Sequence, residues 1–164
     1  MSLRPSLIAS AALVLAACNP PATETAPSAT QQTQPAPAEQ AAPQGLPRTS
    51  APDGARVYII EPQDGATVAS PVRVVFGLSG AGVAPAGIDA PATGHHHLLL
   101  DTPLPPLDLP IPADERHVHF GGGQTETAVT LAPGQHTLQL LLGDELHIPH
   151  DPPLYSDVVT VQVQ

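Results

Sequence analysis

The sequence has no tryptophan, no lysine and one cysteine, and only two tyrosines and two phenylalanines. A single cysteine excludes an intrachain disulfide, so any folded part must rest on an apolar core. Basic charge is equally scarce. Five arginines stand against fifteen acidic residues, and the formal net charge of −10 argues against nucleic acid as a partner, because a phosphate backbone is repelled. The longest apolar run near the N-terminus, Leu7 to Ala17, is too short to span a bilayer as a helix. No window carries the 3.6-residue apolar repeat of an amphipathic helix. An all-β chain is what remains.

The N-terminus follows an export pattern: Arg4, then the apolar run, then small residues before Cys18. Leu15-Ala16-Ala17-Cys18 resembles the lipobox, at which a lipoprotein signal peptidase cleaves before a lipid-modified cysteine. The expected organisation is a signal peptide at residues 1–17, a lipidated Cys18 heading a disordered Pro/Ala-rich tether at 18–54, and one domain at 55–164. Cys18 without the lipid would be a lone thiol in an oxidising compartment, the less favoured reading. From Asn19 to about Ser50 the chain is nearly all Pro, Ala, Gln, Thr, Ser and Glu. Such a segment buries too little apolar surface to offset its ordering entropy. Thirty-odd residues of it reach on the order of 100 Å when extended and roughly 30 Å as a coil. The expected location is the cell envelope, anchored to a membrane through the lipid, with the membrane face left open.

Beyond the tether, apolar residues alternate with a period of two: Val57 and Ile59; Val72, Val74, Phe76 and Leu78; Leu138, Leu140 and Leu142; Val159, Val161 and Val163. Turn chemistry separates these runs at Pro62 to Gly65, Ser70-Pro71, Ser79 to Gly87, Gly121-Gly122-Gly123, Pro133-Gly134 and Pro152-Pro153. The pattern predicts an antiparallel β-sandwich of about seven strands, of the immunoglobulin or fibronectin-like kind. Leu98–Asp101, Arg116–Phe120, Thr125–Leu131, Gln135–Gly143 and Asp157–Val163 are its expected strands C to G.

Eight histidines are the least ordinary feature of the chain. They fall mainly in three short clusters: His95-His96-His97, His117-Val118-His119 and His147-Ile148-Pro149-His150. In a strand, residues i and i+2 share a face, so His95 pairs with His97, and His117 with His119. A three-residue polyproline turn brings His147 and His150 to one side. In the sandwich all three clusters fall at the end formed by the B–C, D–E and F–G loops. Neutral imidazole is the commonest transition-metal ligand, which makes His95, His97, His117, His119, His147 and His150 candidate ligands for copper or zinc. Glu126, Asp144 and Asp151 are candidate carboxylates to orient them. His96 and His136 are expected to be structural, His136 standing where related sandwiches place the tyrosine of a tyrosine corner.

The strings Gly94 to Asp101, His117 to Glu126, His136 to Asp144 and His147 to Pro153 resemble a bacterial family, domain of unknown function 4399, over about residues 57 to 164. That resemblance implies a domain identity but no activity, ligand or catalytic residues. His117-Val118-His119-Phe120-Gly121 is also similar to a fragment of the copper/zinc superoxide dismutase signature, but the rest of that pattern is missing. Other catalytic constellations are weak and do not support an enzyme: Ser79 and Ser156 lack a nucleophile-elbow context. Two functions remain open. One is a lipid-anchored extracytoplasmic module binding a divalent transition metal. The other is a non-enzymatic envelope scaffold or adhesion module whose histidines brace loops.

Overall fold

The computed structural model describes residues 46–164. The expected signal peptide, Cys18 and the tether up to residue 45 lie outside the described residues. The described part is all-β. Nine strands are present: β1 (Arg56–Glu61), β2 (Ala66–Val68), β3 (Val72–Ser79), β4 (Gly82–Val83), β5 (Thr93–Leu100), β6 (His117–His119), β7 (Glu126–Val129), β8 (Gly134–Gly143) and β9 (Val159–Val163).

They form two sheets, one ordered β1-β3-β7 and the other β2-β9-β8-β5-β4, with β6 also paired to β5. Nine strands replace the expected seven for two reasons. The first strand breaks after Glu61 and resumes as β2, which leaves β1's sheet and pairs in parallel with β9. The short β4 adds a second parallel pairing, to β5, so the larger sheet is mixed rather than purely antiparallel. The strand expected as D is β6, and it joins the larger sheet beside β5 instead of the smaller one.

Alternation builds the outer strands. Val72, Val74 and Phe76 of β3 and Val159, Val161 and Val163 of β9 are buried, while Arg73 and Gln162 between them are exposed. These side chains meet Leu98, Leu138, Leu140 and Leu142 in the space between the sheets. The central strands β5 and β8 behave differently, with Gly94 to Leu99 and Leu138 to Gly143 buried without a break. Their leucine runs reflect a sheet covered on both faces. A second apolar cluster explains this: Leu99 and Leu141 on the outer face are capped by Ile111, Leu104 and Leu107 from the proline-rich β5–β6 connection.

At the far end of the sandwich, His136 acts as expected of a corner residue. Its Nδ1 lies 2.6 Å from Asp101 Oδ2 and its Nε2 2.9 Å from the Ala132 carbonyl. With an acceptor at each nitrogen the arrangement favours the doubly protonated ring, and the Asp101 carboxylate raises its pKa.

Candidate metal centre

Strand β5 carries the first two ligand candidates. His96 and Leu98 face inward, His96 with its ring 5.2 Å from that of Phe76, so His95 and His97 project from the outer face of the larger sheet. Both are fully buried. The antiparallel pairing of β6 sets His119 directly opposite His97. From the loop after β8, His147 completes a group of four rings. His95 lies 4.8 Å from His97, 5.1 Å from His119 and 4.9 Å from His147 between ring centroids. His119 and His147 are 4.7 Å apart, with their Nε2 atoms at 3.1 Å. The arrangement is a pit with His95 and His97 at its floor and His119 and His147 at its rim.

Three of these histidines, His95, His97 and His119, each offer a ring nitrogen within 4.8 Å of the other two. They are close enough to hold a metal ion. Nitrogens of a tetrahedral zinc site lie roughly 3.4 Å apart, given bonds of about 2.1 Å. The Nε2 separation of His119 and His147, 3.1 Å, is near that value, while the rings of His97 and His147 lie farther apart, at 5.9 Å between centroids.

Electrostatics keep the floor of the pit neutral. Burial, followed by the neighbouring imidazoles His147 and His119, lowers the pKa of His95 to about 4. Burial and the imidazoles of His95, His119 and His147 lower that of His97 to about 2. His119 is lowered too, by partial burial and then His147. These rings therefore present lone pairs at neutral pH without first releasing a proton. Both nitrogens of His95 and both of His97 are buried with no hydrogen-bond partner. Buried polar atoms are almost always paired; an ion would take one nitrogen of each of these two rings, while their second nitrogens, like both of the inward-facing His96, stay without a partner.

Glycines clear room for the rings. A Cβ at Gly121 would lie 2.3 Å from Cε1 of His119, and one at Gly143 would lie 3.0 Å from Cε1 of His97 and 3.3 Å from Cα of His147. This is a signal present in the sequence, immediately after His119-Phe120 and at the end of β8, that the reading of the histidines alone did not use.

The remaining candidates go elsewhere. His117 sits opposite Leu99, one strand repeat away from the pit, and its Nδ1 donates to Asp114 Oδ1 at 2.9 Å. His150 is buried; its Nε2 donates to the Thr93 carbonyl at 3.1 Å, and its ring lies beside Gly94. Glu126 pairs with Arg73 on the smaller sheet, and Asp151 with Arg48, so neither orients a ring of the pit. Asp144, 2 % exposed, stands behind the loop of His147. Its Oδ1 accepts from the backbone N–H groups of Leu146 and Ile148, both at 2.9 Å. Its negative charge partly offsets the lowering of the His95 pKa. The site therefore lies on a sheet face next to the loop end, not among the loops themselves.

Residues 74–164, more than half of the chain, match the model of a protein family described as domain of unknown function DUF4399. The chain belongs to this family. All four histidines of the pit fall within the matched residues. No curated protein and no solved structure matches the chain.

Proposed function

We propose that this DUF4399 domain binds one divalent transition-metal ion, copper or zinc, through His95, His97 and His119, with His147 as fourth ligand. The observation that carries the reading is the set of orphaned nitrogens on the two fully buried floor rings, which face the partly exposed rings of the rim. An all-imidazole donor set without thiolate suits copper(II) and zinc, copper(II) standing highest in the usual affinity order. The 3.1 Å contact between His119 and His147 also serves as an N–H···N hydrogen bond in the ion-free protein, which supports a preassembled rim.

The lipobox-like Leu15-Ala16-Ala17-Cys18 supports a lipid anchor on Cys18 and an envelope location. Metal capture, buffering or delivery at a membrane surface is the role that joins the two features. Calorimetric titration of the full chain with zinc(II) and copper(II) tests the binding. The expected result is a stoichiometry near one, abolished by His97→Ala or His119→Ala. Affinity no tighter than about 100 μM would refute the reading, since any exposed imidazole pair achieves that. Mass spectrometry of the mature N-terminus tests the anchor, and an unmodified Cys18 would refute it.

A further inference from the structure

The loop of His147 is held from outside the family-matched region. Asp144 uses Oδ1 on the loop amides, and its Oδ2 accepts a hydrogen bond from Thr49 Oγ1 at 2.9 Å. Beside it, Arg48 donates through Nε to the Pro149 carbonyl at 3.0 Å and through Nη2 to the His150 carbonyl, while Nη1 sits 3.3 Å from Asp151 Oδ1. The backbone joins in. Asp151 N–H donates to the Thr49 carbonyl at 2.9 Å, and Ala51 N–H to the Asp151 carbonyl at 3.0 Å, around a parallel bridge between Ser50 and Asp151. His147 itself holds φ at 67°, a left-handed conformation that a non-glycine residue keeps only when its surroundings enforce it.

We propose that Arg48–Ala51, where the tether meets the domain, is a positioning strap that fixes the His147 loop and so sets the affinity of the ion site. This rests on the metal-binding reading. Thr49 and Arg48 touch no ring of the pit; they act through Asp144 and the carbonyls of Pro149 and His150. Residues 48–51 precede the matched residues 74–164, whereas all four rings of the pit lie within them.

The test uses the full chain, titrated calorimetrically with zinc(II) alone and copper(II) alone. Thr49→Val and Arg48→Ala should each weaken binding on the order of tenfold, the range in which groups supporting metal ligands act. Thr49→Ser should restore the affinity. Against a His147→Ala background neither substitution should weaken binding further. Unchanged affinity in the single variants, or an equal loss in the His147→Ala background, would overturn the strap. A metal-free readout separates this proposal from the reading beneath it. Thr49→Val should raise hydrogen exchange at the Leu146 and Ile148 amides roughly tenfold while leaving the β5 amides unchanged. Unchanged protection there overturns the strap whatever the ions do. Faster exchange in a protein that binds neither ion upholds the strap and removes the metal-binding reading instead.

Discussion

Replacing His97 with leucine should make the metal-free protein more stable and unable to use the ion. His97 is fully buried, both of its ring nitrogens lack a partner, and burial holds it neutral by lowering its pKa to about 2. A buried polar group without a partner costs about 1–3 kcal/mol, and an apolar side chain of similar size removes that cost. Leu99 and Leu141 already pack on the same sheet face, so a leucine at 97 has apolar neighbours to join. Allowing for imperfect packing, His97→Leu should gain about 1–3 kcal/mol, or roughly 3–6 °C in Tm per kcal/mol for a domain of this size. Urea unfolding in the presence of a chelator measures it. Added zinc(II) or copper(II) at a hundred times its Kd should then raise wild-type stability by about 2.7 kcal/mol and leave the variant unmoved. A loss of more than about 1 kcal/mol in chelator, or an equal gain from the ion in both proteins, would refute the reasoning that these histidines are kept at the expense of stability for a ligand.

Other consequences follow from the same geometry. Because His95 and His96 have folded pKa values of about 4, below the ordinary 6.5, the unfolded chain binds more protons than the folded one between those limits. Metal-free stability should therefore fall as pH drops from about 6.5 toward 4, by on the order of several kcal/mol in total; urea midpoints flat across that window would contradict this. His136 works in the opposite sense: its pKa is raised by Asp101, so its contribution is full below 6.5 and fades as pH rises through the elevated folded value. His136→Ala should cost about 1–2 kcal/mol at pH 6 without changing metal affinity, and a changed affinity would show that the two ends of the sandwich are coupled. Gly121→Ala forces the His119 ring aside, since the new Cβ would fall 2.3 Å from Cε1. Stability should change by less than about 1 kcal/mol because that ring is exposed and loses little beyond its hydrogen bond to His147, while ion affinity should drop at least about tenfold in titration.

The strands that alternate were legible because one face of each meets the core: Val72, Val74 and Phe76 in β3, and Val159, Val161 and Val163 in β9. The burial of β5 was not. The histidines were expected to open this strand, and it does run through them from Thr93 to Leu100, but their polarity hides a buried segment. Spacing did place His95 with His97, since strand alternation fixes their common face. It paired His117 with His119 only in direction. Register sets His119 against His97 and His117 against Leu99, and Asp114 then takes the His117 ring. Polyproline spacing failed for His147 and His150 because the chain there closes a tight turn around the Asp144 carboxylate instead. Gly143 pairs with Pro149 beyond that turn, and His150 ends beside Gly94. The strap was invisible for a different reason. Arg48 and Thr49 sit at the end of a low-complexity segment, and their partners are about a hundred residues away, a separation no local pattern encodes.

X-ray absorption spectroscopy of the full chain loaded with one equivalent of zinc(II) or copper(II) tests the central claim most directly. The account predicts a first shell of nitrogen at about 2.0–2.1 Å with the multiple-scattering signature of three or four imidazoles, reduced by one imidazole in His119→Ala. A shell dominated by oxygen, or a spectrum unchanged by His119→Ala, would contradict it.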